Sequence, residues 1–331
     1  MNLAPSRYVL AGMILACIGV FLPELSLARD GASPLTSLIR KIQTTWSDLD
    51  HFGIDRQGYL WLWRGNKELV EIYSPAGELL ESVGVPPGRA VDVDHDWGVI
   101  TLSTHGNVLQ QIAFHKPGKA IALENDAADV TWIASNTVAT APTRAGHRIE
   151  LWNVKEGYPI DQFGREKEIN SNPGAVLLRS IRLHFDAKQE LLYTLESVTG
   201  NLQVFKLDGT LVREATVTNH DRQKIMDWLQ EVDRDAKVKK EAERPLFVAL
   251  RLAVDAKGAA WVVEKCRSDT GMAILSMIPL DGKPETLELG VAKPCCSLNF
   301  TVIDPFVVFN SGDSNAGNDP DNPCSNLWSL P

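Results

Sequence analysis

The chain has 331 residues, of which 44% are apolar and 23% charged, and its formal net charge is −9. This balance excludes a collagen, a coiled-coil rod and a polybasic nucleic-acid binder. A globular chain of this length buries roughly three quarters of its unfolded surface, so its stability requires neither a metal nor a disulfide. The length fits two ordinary domains or one large all-β domain.

The first 28 residues are typical of a secretory signal peptide. Arg7 supplies the positive charge, and an uncharged apolar run extends from 8 to 22. This run is shorter than the roughly 20 residues of a membrane span. The small residues Ser26 and Ala28 predict cleavage after Ala28. Two alternatives stay open, an uncleaved membrane anchor and a lipoprotein modified at Cys17. All three interpretations predict a periplasmic or extracellular protein.

A short unit recurs along the chain from residue 51 onward. Each copy has an alternating apolar strand, an Asp, a turn and a second apolar strand, and copies start near residues 52, 91, 130, 183, 252 and 300. The Asp suits a tight turn because its carboxylate accepts hydrogen bonds from backbone amides two residues on. A second hairpin follows most copies, with turn signals at Asp208-Gly209 and Asp281-Gly282. The sequence therefore predicts six units of four antiparallel strands, the pattern of a β-propeller.

Three segments depart from this repeat. The last unit is short of strands, and a strand at 35–44 within the N-terminal segment 29–50 is predicted to complete it and close the ring. The insertion 219–244 is predicted to be an amphipathic helix, because Ile225, Leu229 and Val232 share one helical face and Pro245 follows. The segment 313–321 is rich in oxygen ligands and is either a plain polar loop or a calcium loop.

The repeated unit resembles the six-bladed β-propellers of the NHL and TolB-like type. The resemblance rests on the strand–Asp–turn–strand core and on hairpins such as Leu-Gln-Val-Phe-Lys-Leu-Asp-Gly-Thr-Leu-Val at 202–212. It covers nearly all of the mature chain and implies an all-β, six-bladed propeller over 51–331, from which the helical insertion at 219–244 departs. Its motif residues form turns and cores, so the resemblance implies no active site.

Four cysteines follow Cys17, and an even number in an exported chain predicts disulfides. Of the three possible pairings, a bond between the neighbours Cys295 and Cys296 would strain the backbone. The sequence therefore predicts that Cys266 and Cys324 each pair with one member of the vicinal pair. The alternative is a redox-active or metal-binding Cys-Cys pair.

The candidate binding residues lie where the innermost strands start. Arg182, Arg251 and His51 each precede the Asp of their unit by four residues, and such strand starts converge at one mouth of a propeller channel. Together with Asp48, Asp50 and Asn299 they are predicted to form a polar ring for an anionic or zwitterionic ligand. The alternative is that the arginines bind carboxylates between blades or strand ends.

Two functions follow from these patterns. The first is a binding or interaction scaffold with a protein or small anionic ligand at the channel mouth and no cofactor. The second is a calcium-dependent hydrolase of the lactonase type. That family needs several Asn, Asp and Glu residues at inner-strand starts, where this chain offers His51, Arg182 and Arg251, with Asn299 as its one match. The acidic charge disfavours nucleic acid and anionic membranes as partners.

Overall fold

The structure is a computed structural model that describes residues 51–64, 67–112, 119–143, 147–165, 181–197, 199–217, 249–267, 272–290, 297–303, 306–312 and 327–330. The elements in these ranges are 23 β-strands. The predicted signal peptide, the strand at 35–44, the helix at 219–244 and the loop at 313–321 lie outside them. Among the described residues, no helix has the length and apolar character needed to span a bilayer.

The strands pair antiparallel in chain order, so that each sheet is a meander of neighbouring strands. Blade 1 contains β1 (His51–Ile54), β2 (Leu60–Arg64), β3 (Leu69–Tyr73) and β4 (Leu79–Gly84), and blade 2 contains β5 (Gly88–Asp94), β6 (Gly98–Ser103), β7 (Val108–Ile112) and β8 (Ala120–Ala122). Blade 3 contains β9 (Ala127–Ala134), β10 (Thr137–Pro142), β11 (His147–Asn153) and β12 (Tyr158–Arg165), and blade 4 contains β13 (Ile181–Asp186), β14 (Leu191–Glu196), β15 (Asn201–Lys206) and β16 (Leu211–Thr216). Blade 5 contains β17 (Ala249–Val254), β18 (Ala260–Arg267), β19 (Met272–Ile278) and β20 (Glu285–Gly290), and the last sheet contains β21 (Ser297–Ile303), β22 (Phe306–Gly312) and β23 (Leu327–Leu330).

The sheets are arranged as a β-propeller, which confirms the predicted all-β class. The first strands of the sheets are innermost, and β21 contacts both β17 and β1, so the last sheet lies beside the first. Five blades are complete with four strands, where the sequence predicted six, and the sixth position holds a three-stranded sheet. The count differs because only β23 pairs with β22 in the described part of the chain, and the strand proposed to complete this sheet lies outside it.

The turn aspartates adopt the predicted role. Oδ1 of Asp55 accepts hydrogen bonds from the backbone N–H groups of Gln57 (3.0 Å) and Tyr59 (2.8 Å). The same carboxylate-to-amide pattern closes the turns at Asp94, Asp186 and Asp255. Each Asp therefore fixes the register of the first hairpin in its blade, because it satisfies amides that the tight turn leaves without strand partners.

The hydrophobic core is divided into layers between neighbouring blades. One layer joins Leu195 and Leu202 of blade 4 to Val262 of blade 5, and comparable layers lie between blades 1 and 2, 2 and 3, and 3 and 4. Burial of one such side chain contributes about 1.5–3 kcal/mol. The flat faces of the blades thus supply the main attraction that holds neighbours together.

Buried polar contacts join the same neighbours. Oδ2 of Asp55 in blade 1 accepts a hydrogen bond from the backbone N–H of His95 in blade 2 at 2.8 Å. Between blades 3 and 4, the buried Arg148 and Glu196 side chains form an ion pair at 3.2 Å. These contacts fix the sliding position of one blade on the next, which apolar packing alone leaves loosely specified.

Candidate functional site: the central cavity

A cavity of about 150 Å³ lies among the innermost strands, where β1, β5, β9, β13 and β17 come together. The cavity is bounded mainly by the inner strands and by β2. The charged residues and histidines in its lining are seven: His51, Arg89, Asp92, Asp129, Arg182, His184 and Arg251. Each of them keeps part of its surface exposed.

His51 is the first residue of β1 and lies in an environment that keeps its imidazole neutral. Its ring packs edge-on against Trp61, with ring centroids 5.4 Å apart. Burial, and then the charges of Arg251 and Arg182, lower the pKa of His51 to about 3. Its Nδ1 is buried and has no hydrogen-bond partner in the described structure. His51 therefore offers an uncharged polar group to the cavity at neutral pH.

Arg182 of β13 and Arg251 of β17 bring two guanidinium groups to the same cavity. Arg182 pairs in register with Leu195, and Arg251 pairs with Val263 beside a register shift, so both belong to paired strands rather than to loops. The Nε of Arg182 is buried without a hydrogen-bond partner among the described residues. The structure thus brings together three of the six predicted residues, His51, Arg182 and Arg251.

The other three predicted residues are not placed by the structure. Asp48 and Asp50 lie outside the described residues. The backbone of Asn299 is described in β21, where it pairs with Asn310 of β22, but its side chain is not. Whether these three side chains reach the cavity remains a prediction.

Two half-buried carboxylates, which the sequence analysis missed, also line the cavity. Oδ2 of Asp92 accepts hydrogen bonds from the Thr131 hydroxyl (2.9 Å) and from the backbone N–H of Trp132 (2.8 Å). Oδ2 of Asp129 accepts one from the backbone N–H of Leu183 at 3.0 Å. Each Asp therefore links its own inner strand to the inner strand of the next blade.

The two carboxylates differ in their electrostatic surroundings. Burial raises the pKa of Asp92 to about 6, against the hydrogen bonds that it accepts, and the Asp129 charge adds to the rise. Burial also raises the pKa of Asp129, but there Arg182 and Arg251 oppose the effect. Asp129 is thus the carboxylate that interacts with the two arginines. The charge that contributes to the shift of the Asp92 pKa is the negative charge of Asp129.

A signal for Asp92 was present in the sequence. It interrupts the apolar run Val91-Asp92-Val93, and it precedes the turn Asp94 by two residues, as His184 precedes Asp186. Alternate residues of a strand lie on one face, so positions two and four before the turn Asp share the channel face. His184 also lines the cavity, and burial lowers its pKa to about 4.

The structure brings no metal-ligand group together in its described part, where no three His, Cys, Asp or Glu side chains are placed to hold an ion. Three of the four predicted disulfide cysteines, Cys295, Cys296 and Cys324, lie outside the described residues. Cys266 lies in β18, where only its backbone is described. Both the calcium loop and the disulfide pairing therefore stay predictions.

Comparison with known proteins gives information on the fold of the chain. No family model matches the chain, and no curated protein matches it. Solved structures, in contrast, do match the chain. Virginiamycin B lyase from Staphylococcus aureus is 10% identical over 87% of this chain and 81% of its own, with a TM-score of 0.53. A streptogramin B lyase is 11% identical over 80% and 76% (TM-score 0.51), and hydrazine synthase from Kuenenia stuttgartiensis is 10% identical over 81% and 75% (TM-score 0.51). Similarity at this identity is a likeness of fold, and it supports the assignment of the chain as a β-propeller.

Proposed function

We propose that the protein is an exported β-propeller that acts as a binding scaffold and holds a small anionic ligand in its central cavity. One observation carries this proposal. Arg182, Arg251 and the neutral His51 come from three different blades, far apart in sequence, and line one cavity. A convergence of this kind of two guanidinium groups and one imidazole is suited to an anion.

The size of the cavity restricts the ligand. A volume of about 150 Å³ equals that of the engineered cavities that bind benzene. A guanidinium group binds a carboxylate with two parallel hydrogen bonds, which supplies orientation as well as charge attraction. We therefore expect a small carboxylate, of roughly the size of acetate to benzoate, rather than an extended polymer.

Export is the second component of the proposal. The apolar run at 8–22 and the small residues before position 29 are typical of a cleaved signal peptide. The four cysteines after Cys17 fit an oxidising compartment, where disulfides persist. A periplasmic or extracellular location would place the cavity where small acidic solutes or a partner protein reach it.

A calcium-dependent hydrolase of the lactonase type is the alternative. It would need several oxygen ligands around one point at the channel mouth. The cavity instead presents Arg182, Arg251 and His51 at the inner-strand starts, and its two carboxylates already accept backbone hydrogen bonds. The donor set on the described strands favours binding of an anion over binding of a cation.

The test is calorimetric titration of the purified protein with acetate, benzoate and phosphate, together with a thermal-shift screen. We expect benzoate or acetate to bind the wild type, and the double variant Arg182→Ala/Arg251→Ala to lose at least tenfold in affinity. Lys206→Ala, which removes an exposed cation outside the cavity, is the matched control and should bind as the wild type does. Equal shifts in the wild type and the double variant would refute the proposal.

A further inference from the structure

We propose that a second cavity, between blades 2 and 3, binds a small organic ammonium ion through the buried Glu150 carboxylate. The inference goes beyond the proposed function, because this cavity shares no lining residue with the central cavity in the described structure. It adds to the same propeller a site with the opposite charge preference.

The second cavity has a volume of about 420 Å³ and lies on the outer part of the two blades. The segment that follows β8 supplies Glu124 and Asn125, β11 supplies Glu150 and Trp152, and β12 supplies residues 159–162. The β12 residues are exposed, whereas Glu150 and Trp152 are only 6% and 3% exposed. The cavity therefore has a solvent-exposed side on β12 and a buried side that contains a carboxylate and an aromatic ring.

The charged part of the lining is acidic. Glu124, Glu150 and Asp161 line the cavity, and no Lys, Arg or His does so among the described residues. Glu150 interacts with neutral donors: Oε1 accepts a hydrogen bond from the Asn125 side-chain amide at 3.1 Å, and Oε2 accepts one from the Trp152 indole N–H at 3.3 Å. The ion pairs that the described residues form do not include Glu150. Since a buried carboxylate without a counter-charge is costly, a cation that enters the cavity stabilises it.

The Glu150 oxygens keep acceptor positions for such a cation. A carboxylate offers about four positions, of which the bonds from Asn125 and Trp152 use two. An ammonium group carries three donors and a positive charge, and its hydrogen bonds to a carboxylate are stronger than those between neutral groups. Glu150 is therefore the group that fixes the ammonium head.

The apolar part of the lining indicates that the ammonium ion carries a hydrocarbon chain. Trp152, Pro159 and Ile160 line the cavity, and Ile160 is 50% exposed. An alkyl chain that covers Ile160 removes apolar surface from water, which favours binding. A metal ion makes no use of this surface. Calcium takes roughly six to eight oxygen ligands, whereas the described residues contain no group of three His, Cys, Asp or Glu side chains placed to hold a metal.

Calorimetric titration of the purified protein with butylammonium chloride at pH 7 tests the proposal. Pentanol is the uncharged probe of similar size, and calcium chloride is the metal probe. We expect the wild type to bind one butylammonium ion and to bind pentanol at least tenfold more weakly. Glu150→Gln should lose at least tenfold in affinity for butylammonium, because the substitution removes the charge and keeps the size of the side chain. Glu156→Gln, which removes an exposed carboxylate of the same blade outside the cavity, is the matched control and should bind as the wild type does.

A second variant tests the apolar side without a change in the buried side chains. In the wild type, butylammonium should bind at least fivefold more tightly than methylammonium, because its chain covers Ile160. Ile160→Ser should remove most of this difference. Circular dichroism of each variant establishes that the propeller is folded. A blocked peptide with a single lysine distinguishes the source of the ammonium group: binding of the peptide assigns a lysine side chain of a partner, and binding of butylammonium alone assigns a free amine.

Several results would overturn the proposal. They are absence of butylammonium binding to the wild type, equal affinity of the wild type and the folded Glu150→Gln variant, pentanol that binds as tightly as butylammonium, and calcium that displaces butylammonium. An unchanged chain-length difference in Ile160→Ser would overturn the assignment to this cavity. The double variant Arg182→Ala/Arg251→Ala should bind butylammonium as the wild type does, so loss of binding in that variant would also overturn the location. Failure of benzoate to bind the wild type bears on the central cavity alone.

Discussion

Replacement of Asp92 by Asn should change how the stability of the propeller depends on pH. Asp92 lies on β5 and is tied to the next blade through the Thr131 hydroxyl and the backbone N–H of Trp132. With its amide oxygen at the Oδ2 position, Asn accepts both hydrogen bonds from the next blade. Its NH₂ group then replaces Oδ1, which accepts a hydrogen bond from the backbone N–H of Val93. The substitution therefore keeps the link between blades, removes the ability to ionise and loses this one local bond.

The sign and size of the effect follow from the raised pKa of Asp92. Since the folded value is about 6 and the ordinary value 3.8, the unfolded chain loses its proton first as the pH rises. The stabilisation of the folded state that comes from the protonated Asp92 is fully present below pH 3.8 and is lost as the pH rises through 6. Each pKa unit corresponds to 1.36 kcal/mol, so the loss is about 2–3 kcal/mol, the lower end allowing for solvent at the exposed part of Asp92.

Urea denaturation between pH 4 and pH 8 tests this expectation. The nine tryptophans report unfolding by fluorescence, and far-UV circular dichroism should give coincident transitions. As the pH rises over this range, the free energy of unfolding of Asp92→Asn should increase by about 2–3 kcal/mol relative to that of the wild type. A constant difference introduced by the amide does not affect this change. His51 and His184, whose lowered pKa values give the opposite slope, contribute equally to both proteins. A difference that stays constant from pH 4 to pH 8 would refute the reasoning.

Three further predictions concern contacts between blades. Arg148→Met leaves the buried Glu196 carboxylate without its cation and should lower the free energy of unfolding by about 3–5 kcal/mol in urea denaturation at pH 7. Gly106→Ala places a methyl group against a backbone carbonyl of blade 3, whereas Gly58→Ala meets nothing within 4 Å. Both positions have positive φ, so Ala is strained at each of them and this strain cancels in the comparison. Because of the additional steric clash, Gly106→Ala should be about 2 kcal/mol less stable than Gly58→Ala. Tyr193→Phe removes a hydroxyl that donates to a buried carbonyl of blade 5 at 2.9 Å and should cost about 1–2 kcal/mol, measured in the same way.

The turn aspartates explain why so much of the fold followed from the sequence. A carboxylate that accepts amides two and four residues on needs a specific position in a turn, so Asp55 or Asp255 marks both the end of one strand and the start of the next. The register of the inner strand follows from it, and with the register the places of His51, Arg182 and Arg251. The number of complete blades did not follow. Completion of the last sheet would require strands from the two ends of the chain to pair, and a sequence pattern does not determine such long-range pairing.

Blade 3 shows where this reasoning fails. Its first hairpin has no turn Asp, and the pairing of β9 with β10 contains register shifts near Thr137 and Thr140. Each shift of one residue moves a side chain to the opposite face of the strand. Counting along the sequence therefore gave no face for Asp129, and the structure was needed to place it in the cavity.

The same strand face carries both the structural and the proposed binding residues. In blade 4, Asp186 closes the turn, while His184 and Arg182, two and four residues earlier, line the cavity. Because these positions alternate along one strand, the residue that closes the turn and the two cavity residues lie on the same face of that strand. Ala253 of blade 5 puts a small residue at one of these positions, whereas at Gly53 of blade 1 the Trp61 ring fills the place that a side chain would take. The residues at these two strand positions differ from blade to blade and define the cavity. The blade framework that supports them does not change.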